Sequence, residues 1–418
     1  MSIFFYNLFL LTYAAGVRTA CLFNKKARLW RKGRKNIFSQ LSLWKSENNE
    51  QKIIWMHCAS LGEFEQGRPI IEKLKYRYPS HKILLTFFSP SGYEIRKNYS
   101  GVDGVFYLPL DGKVSAEKFI SIVNPVLVVW VKYEYWFYYL TILKQKKIQV
   151  VLVSAIFRES QPFFKWYGGL WKKILQSFEN IFVQNEESIS LLKKIDLAGN
   201  VTITGDTRFD RVIDIATVKL PIPSQIAHFC KNKKVIVAGS TWQEDEEEIV
   251  HYAKMHLHIK FIIAPHEIDK ERLDDIKKLF PNAVFYSEFI AGKHEAQTII
   301  IDNIGMLSKL YQLATVAYIG GGFNDSGIHN ILEAAVYGKP IIFGPVYEKF
   351  VEANDLINRE GAFSIENALE LEVLLNKFFN NVEFLKNASR TCKDYVYENR
   401  GATDKIMEYI YAKRLLTN

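Results

Sequence analysis

Two glutamates each follow a short apolar run that is typical of a buried strand. Glu63 comes after Ile53–His57, in the motif Ser60-Leu61-Gly62-Glu63, and Glu134 comes after Val126–Val131. A glutamate at a strand-to-helix turn, next to a glycine, is well placed to act as a general base. The alternative interpretation is a favourable interaction of Glu63 with a helix dipole, and an exposed helix start at Glu134. Position alone leaves both interpretations open.

Three consecutive glycines at 320–322 follow the apolar run Ala314–Ile319 and precede a predicted helix. Glycine lets a ligand approach the backbone closely, and a helix N-terminus offers free N–H groups to an anion. A carboxylate one turn into such a helix is suited to ribose hydroxyls. A tight turn before an ordinary capped helix is the alternative. A second strand end at Gly344-Pro345 favours a nucleotide site, with the candidate residues Gly321, Gly322, Asn330 and Glu333.

Two further strand ends in the second half of the chain carry polar groups. Gly239, Ser240 and Thr241 close one apolar run, and their backbone and hydroxyl donors are suited to a phosphate. His266 follows the next run, where it contacts a phosphate or is an ordinary loop histidine. The acidic run Glu244–Glu248 is expected to cap a helix and face solvent.

Arg208 lies in the motif Gly205-Asp206-Thr207-Arg208-Phe209-Asp210, near the middle of the chain. As a fixed cation it is suited to bind a carboxylate or a phosphate. An ion pair across the domain boundary with Asp206 or Asp210 is the alternative.

The elements that position these residues alternate between apolar strands and amphipathic helices. Six strands are predicted before residue 201 and six more between Val235 and Phe343, which indicates an α/β fold with two Rossmann-like, doubly wound domains. Ligands bind at the carboxyl ends of such strands, so the cleft between the domains is the expected site. The predicted domains are 36–210 and 233–381, joined by a linker at 211–232 and followed by a helical tail at 382–418.

Composition is that of a folded globular protein, with 418 residues, 48% hydrophobic and 24% charged. The four cysteines have neither CxxC nor metal-site spacing, which favours reduced thiols in a cytoplasmic protein. No metal site is predicted. The net charge of +9 is concentrated in one cluster, Lys25, Lys26, Arg28, Arg31, Lys32, Arg34 and Lys35.

The basic cluster follows an apolar stretch, Ile3–Gly16. A signal peptide would carry its basic residues before the apolar stretch, and a spanning helix would need about 20 apolar residues, which Arg18 prevents. A short membrane-associated helix followed by a polybasic segment fits residues 1–35 better. Nucleic-acid binding is the weaker interpretation, because Trp30 is the only aromatic residue within the cluster.

The order and spacing of these motifs resemble the 3-deoxy-D-manno-octulosonic acid (Kdo) transferases of lipopolysaccharide synthesis, which are glycosyltransferases with the two-domain GT-B fold. The resemblance covers nearly the whole chain and rests on the motifs above, on 57–63 and on 89–92. It implies an inverting, metal-independent enzyme that transfers Kdo from CMP-Kdo to a lipid A precursor. It also implies a position on the cytoplasmic face of the bacterial inner membrane, anchored or peripheral through residues 1–35.

By the same resemblance, Glu63 matches the general base and Glu134 a second important acid. Arg208 falls where the family has a basic residue for the Kdo carboxylate or the phosphate. The donor CMP-Kdo would be held by Gly239, Ser240, Thr241, His266, Gly321, Gly322, Asn330 and Glu333. Trp242 and Ile331 depart from the family, in which many members have His and Pro at these positions.

Two alternatives to a Kdo transferase remain. One is another GT-B enzyme that uses a nucleotide sugar, such as a UDP-sugar transferase or an epimerase. The other is a membrane-attached nucleotide-binding protein without catalysis, which the two glutamates argue against. A dehydrogenase is disfavoured, because no GxGxxG follows the first strand of either domain.

Overall fold

The computed structural model describes residues 3–197, 199–218, 221–292 and 296–417. It consists of two compact α/β units, the first formed by Met1–Arg211 with Arg400–Asn418 and the second by Val212–Asn399. Each unit contains a parallel sheet with helices between its strands. The prediction of two Rossmann-like, doubly wound domains is therefore confirmed.

In its described residues, the first unit has a seven-stranded sheet in the order β3-β2-β1-β4-β5-β6-β7, with every neighbouring pair parallel. The strand order changes direction between β1 and β4, and such a switch point opens a crevice at the carboxyl ends of the strands. The strands are β1 (Ile53–Cys58), β2 (Lys82–Phe87), β3 (Gly104–Tyr107), β4 (Pro125–Val131), β5 (Gln149–Ala155), β6 (Asn180–Val183) and β7 (Val201–Ile203).

The central strands are apolar on both faces because helices cover both faces of the sheet. All six residues of β1 are buried. The helices are α1 (Ile3–Ala20), α2 (Lys25–Gly33), α3 (Ile37–Glu47), α4 (Leu61–Arg77), α5 (Pro90–Arg96), α6 (Lys113–Val123), α7 (Phe137–Gln145), α8 (Gly169–Leu175), α9 (Glu186–Lys193) and α10 (Thr207–Thr217).

The described residues of the second unit also form a seven-stranded parallel sheet, in the order β10-β11-β9-β8-β12-β13-β14. The switch point lies between β8 and β12. The strands are β8 (Val235–Thr241), β9 (Lys260–Pro265), β10 (Val284–Phe285), β11 (Thr298–Ile300), β12 (Val316–Ile319), β13 (Ile341–Phe343) and β14 (Ala362–Ser364).

Helices surround this second sheet as well, and the last helix of the chain belongs to the first unit. The helices are α11 (Ser224–Cys230), α12 (Gln243–Met255), α13 (Lys270–Leu279), α14 (Tyr286–Ile290), α15 (Leu307–Leu310), α16 (Leu332–Ala335), α17 (Val351–Asn358), α18 (Ala368–Asn380), α19 (Val382–Glu398) and α20 (Ala402–Ala412).

Each sheet has one strand more than the sequence pattern predicts, β7 in the first and β14 in the second. Both are three-residue edge strands, too short to give a periodic signal. The region 211–232, where a linker is predicted, contains the end of α10 and all of α11. Of the predicted tail, α19 lies in the second unit and α20 in the first.

Helix α1 packs on the first unit through one face. Tyr6 and Leu10 are buried, and the Tyr6 hydroxyl donates to Asp111 Oδ2 at 2.6 Å. Phe4 and Leu11 are about two-thirds exposed, at 70% and 68%. None of the helices in the described part of the chain has the length and apolar character needed to cross a bilayer.

Candidate active site

The two candidate glutamates lie in the first unit, at the switch point of its sheet. Glu63 is in the first turn of α4, directly after β1, and Glu134 is in the turn between β4 and α7. Since β1 and β4 are neighbours and parallel, both side chains lie at the same end of the sheet. The negative charge of Glu134 contributes, after burial, to the raised pKa of Glu63.

Glu63 is a buried carboxyl group, with 9% of the residue exposed. Ser60 is the N-cap of α4, and the Ala59 backbone N–H donates to Glu63 Oε2. Burial and the neighbouring charge of Glu134 raise the pKa of Glu63 to about 8, against the opposing effects of the Ala59 N–H and the Lys132 ammonium. A carboxyl group with a pKa this close to neutrality is suited to exchange a proton with a substrate hydroxyl.

Glu134 is fixed by two ring N–H groups. Its Oε2 lies 2.9 Å from His57 Nε2 and 2.8 Å from Trp136 Nε1. An ionised carboxylate only accepts hydrogen bonds, so His57 carries a proton on Nε2. The Thr86 Oγ1 atom lies 2.8 Å from His57 Nδ1 and accepts a hydrogen bond from Trp55 Nε1 at 2.8 Å. A buried chain of hydrogen bonds thus orients Glu134 from within the sheet.

Sequence reasoning assigned no role to His57, Thr86 or Lys132. The available signal was a polar residue inside an otherwise apolar strand, which holds for His57 and Thr86. Lys132 adopts a left-handed conformation with φ of 58°, which is uncommon outside glycine and occurs at functional sites. Its charge lowers the pKa values of Glu63 and Asp206.

Arg208 forms an ion pair with Asp206, at 2.8 Å between Nε and Oδ2. Asp206 is buried and also accepts from Gln66 Nε2 at 3.2 Å. The nearby Arg208 and Lys132 cations hold the pKa of Asp206 below its usual range despite its burial. The alternative interpretation, an ion pair with Asp206, is therefore present. Both partners belong to the first unit, so this pair does not cross the domain boundary. A role for Arg208 toward an anionic ligand stays a prediction.

Glycines 320–322, the glycine turn, let two backbone segments of the second unit pack closely together. A Cβ on Gly320 would lie 2.3 Å from the Ser240 carbonyl oxygen, and one on Gly322 would lie 2.5 Å from the Gly344 nitrogen. Gly321 has a φ of 95°, a conformation that favours glycine. The three glycines thus let the turn after β12 pass against the ends of β8 and β13.

Asp245 joins this glycine turn to the start of α12. Its carboxylate accepts from the backbone N–H groups of Trp242 and Gly321, at 2.9 and 2.8 Å, and from the Tyr318 hydroxyl at 3.0 Å. Asp245 and Glu246 are fully buried, so the expectation that the acidic run faces solvent is wrong for both. The reason is tertiary, because their partners come from outside α12.

At the end of β8, one of the candidate phosphate-binding residues already has a hydrogen-bond partner within the protein. Thr241 is buried and its hydroxyl donates to Glu246 Oε1 at 2.7 Å, while Glu246 also pairs with Arg272 at 2.5 Å. Ser240 has a left-handed φ of 55°. Ser240 thus has an uncommon backbone conformation, and the next residue, Thr241, is bonded to the buried Glu246–Arg272 ion pair.

His266 belongs to a stack of three flat rings beside this turn. Its ring lies 4.7 Å from the Trp242 ring and 4.5 Å from the His329 ring, with interplanar angles of 25° and 26°. Burial lowers the pKa of His266, and burial together with His266 lowers that of His329 to about 4. Both shifts favour the neutral form of the imidazole rings.

Asn330 and Glu333 lie at the start of a single helical turn, α16, rather than of a long helix. Asn330 Oδ1 accepts from the Leu332 N–H at 3.2 Å, and its Nδ2 lies 3.3 Å from Glu333 Oε1. The two side chains are close together, as a shared ligand site requires. Their role toward a nucleotide stays a prediction. Among the described residues, no group of three or more His, Cys, Asp or Glu side chains is arranged to hold a metal ion.

The fold resembles that of known nucleotide-sugar enzymes. A crystal structure of UDP-GlcNAc 2-epimerase from Neisseria meningitidis matches 87% of this chain and 100% of its own, with a TM-score of 0.62 and 16% identity. This likeness concerns the fold alone, and it places the chain in the GT-B class of two Rossmann-like domains.

Sequence comparison gives the family. Residues 34–211 match the model of the 3-deoxy-D-manno-octulosonic-acid transferase (Kdo transferase) family. A 3-deoxy-D-manno-octulosonic acid transferase from Aquifex aeolicus is 29% identical over 80% of this chain and 88% of its own length. A bifunctional glycosyltransferase/methyltransferase from Fusobacterium nucleatum is 28% identical over 85% of this chain, which spans 56% of that protein. The chain is thus similar over most of its length to Kdo transferases, and the resemblance drawn from its motifs is confirmed.

Proposed function

We propose that the protein transfers Kdo from CMP-Kdo to a lipid A precursor, with Glu63 as the general base. The observation that carries this proposal is the buried Glu63 carboxyl group at the switch point of the first sheet, with a pKa of about 8. A non-catalytic binding protein has no need for such a group.

The proposed reaction is a single displacement at the anomeric carbon of Kdo. The ionised Glu63 accepts the proton of the acceptor hydroxyl while the acceptor oxygen bonds to that carbon. The bond from the carbon to the CMP phosphate oxygen breaks, and its electron pair leaves with CMP. Glu134, oriented by His57 and Trp136, keeps a second negative charge near the reacting centre, where an oxocarbenium-like carbon would benefit from it.

In the second unit, the turn at 239–241, the glycine turn and the ring stack are the proposed donor-binding groups. The neutral rings of His266 and His329 can each donate one hydrogen bond to a phosphate. Asn330 and Glu333 are the proposed ribose ligands. A bound phosphate anion would favour protonation of either histidine and so raise its pKa.

A transfer assay tests the proposal. Purified protein is incubated with CMP-Kdo and a tetraacyl lipid A precursor, and wild type is compared with Glu63→Gln and with Glu65→Gln as the matched control. We expect Glu63→Gln to lower kcat at least about a hundredfold, as the loss of a general base does. Undiminished transfer by this variant would reject the base, and preferential binding of UDP over CMP in calorimetry would reject the donor.

Membrane association at the cytoplasmic face of the inner membrane is part of the same proposal. The exposed face of α1 and the basic cluster support it, because apolar side chains and adjacent cations together bind anionic lipid surfaces. The double variant Phe4→Glu/Leu11→Glu should bind anionic vesicles more weakly than wild type. Leu369→Glu/Val373→Glu, which changes two exposed residues of the second unit, should not. Equal vesicle binding by all three proteins would contradict a role for α1.

A further inference from the structure

A cavity of about 930 Å³ lies between α1, α2, the start of α3 and the segment Pro109-Leu110. Its volume is in the range of cavities that hold small-molecule ligands. It belongs entirely to the first unit. We call it the basic cavity, because its lining contains six cationic side chains and no acidic one, namely Arg18, Arg28, Arg31, Lys32, Arg34 and Lys35.

Two of these cations maintain the local structure. The Arg34 guanidinium donates to the carbonyl oxygens of Leu108 and Phe88, at 2.8 and 2.7 Å, and lies 3.7 Å above the Trp30 ring. The Arg28 guanidinium donates to the carbonyl oxygens of Cys21 and Leu22, just after α1, at 3.5 and 3.4 Å. These contacts hold α1 and α2 in place around the cavity.

The other four cations, Arg18, Arg31, Lys32 and Lys35, form no ion pair with any residue in the described part of the chain. Four unpaired charges of one sign repel one another, and an anionic ligand would relieve that repulsion. Phosphate is the ligand class that clustered Arg and Lys side chains recognise best.

The remainder of the lining is apolar and includes Val17, Trp30, Ile37, Phe38 and Leu110. A free phosphate or a nucleic-acid backbone would leave this surface without a partner. A molecule with both a phosphate and a hydrocarbon chain would cover the cations and the apolar wall together.

The wall of the basic cavity is continuous with the group that orients Glu134. Trp30 packs on Phe88 with ring centroids 5.7 Å apart, and Phe88 packs on Trp136 at 4.8 Å. Trp136 Nε1 in turn donates to Glu134. A ligand seated in the cavity is therefore connected to Glu134 through the packed rings of Trp30, Phe88 and Trp136.

We propose that the basic cavity binds the phosphate and an adjoining acyl chain of the phosphorylated glycolipid acceptor, through Arg18, Arg31, Lys32 and Lys35 and the apolar wall. This inference rests on the proposed function, since it assigns part of the acceptor in the same reaction. In this proposal one lipid molecule is recognised in the basic cavity, which differs from a general attraction of the basic cluster to a charged membrane.

The test compares two charge reversals of equal size within the basic cluster. Lys32→Glu/Lys35→Glu changes the cavity, whereas Lys25→Glu/Lys26→Glu changes two residues of the cluster outside its lining. We expect the first variant to raise KM for tetraacyl lipid A precursor about tenfold or more, with KM for CMP-Kdo unchanged. The second variant should leave both KM values within about twofold while still weakening binding to anionic vesicles.

Equal increases in acceptor KM for both variants would overturn the proposal in favour of general attraction to the membrane. Unchanged KM in both would overturn it as well. Direct binding keeps the test separate from the proposed function: fluorescence titration of wild type with detergent-dispersed precursor is compared with titration of the dephosphorylated precursor. Equal affinity for the two lipids rejects the cavity assignment, whereas selective binding without transfer rejects the proposed reaction alone. Displacement of the bound precursor by an oligonucleotide would indicate that the cavity binds nucleic acid, and would also reject the cavity assignment.

Discussion

In the first unit the carboxyl ends of β1 and β4 carry ionisable side chains, the buried Glu63 and the partly buried Glu134, whereas in the second unit the carboxyl ends of β8 and β12 carry glycines. The two sites use the same switch-point topology but are stabilised in different ways. In the first site, burial and the charge of Glu134 raise the pKa of Glu63. The second is held by backbone packing and by buried Asp245, with neutral rings beside it. Proton transfer needs the first arrangement, and close approach to a nucleotide needs the second.

The largest effect is expected from Gly320→Ala. The new Cβ would lie 2.3 Å from the Ser240 carbonyl oxygen, and backbone cannot move as a flexible side chain does. We expect the second unit to lose about 3 kcal/mol of stability. We also expect the variant to lose CMP binding. Thermal unfolding and calorimetry with CMP measure the two effects. Gly169→Ala, where nothing lies within 4 Å of the new Cβ, is the control and should change neither.

A smaller effect is expected from Thr86→Val in the first unit. The substitution leaves Trp55 Nε1 buried without its acceptor and removes the hydroxyl that orients His57, at a cost of about 1 to 3 kcal/mol. Because His57 positions Glu134, kcat should fall while KM for CMP-Kdo stays constant. Thr141→Val is the control, because it removes a hydroxyl that donates to Phe137 O within α7. If both variants lowered kcat equally, the positioning chain would have no special role.

Glu134→Gln is expected to shift the pH dependence. Glu63 must be ionised to act as a base, and its pKa of about 8 limits activity on the acid side. Removing the Glu134 charge lowers the pKa of Glu63, so the acid limb of the kcat/KM profile should move to lower pH. Profiles of wild type and variant between pH 5.5 and about 9 measure the shift. An acid limb that stayed in place would mean that another group titrates.

The same raised pKa predicts how stability depends on pH. Folded protein holds the Glu63 proton up to about pH 8, while the unfolded chain releases it near the ordinary value of 4.5, so stability falls as pH rises between those values. Glu63→Gln should remove this loss and increase the free energy of unfolding at pH 8 relative to wild type. Urea unfolding at pH 5 and pH 8 tests the sign, and a variant equally or less stable at pH 8 would contradict it.

The smallest effect is expected from Trp242→His in the second unit. It introduces the residue that the family resemblance implies at this position and adds an ionisable ring to the stack with His266. CMP affinity should then increase more steeply from pH 8 to pH 6 than in wild type, because a protonated ring attracts phosphate. Trp242→Phe keeps an aromatic ring without a proton to gain. An identical pH dependence in the two variants would show that this position does not contact the phosphate.

Sequence reasoning predicted much of the fold, because continuous apolar runs and helical periodicity mark doubly covered strands and amphipathic helices. It missed β7 and β14, whose three residues are too few to show a period. In the site, it singled out Glu63, Glu134 and the glycine turn by their position at strand ends. It missed the burial of Asp245 and Glu246, because a charged run looks solvated until its partners are known.

The sequence by itself determined two parallel-sheet domains, a resemblance to one family and a set of strand-end residues, since these depend on local pattern and motif order. Only the tertiary structure decided which residues meet. Thr86 lies 29 positions from His57, and Glu134 lies 77 positions from it, yet the three form one hydrogen-bonded chain. The raised pKa of Glu63 and the unpaired cations around the basic cavity likewise depend on which residues are close in space. Burial and Coulomb energy depend on distance in space, which separation along a chain does not specify.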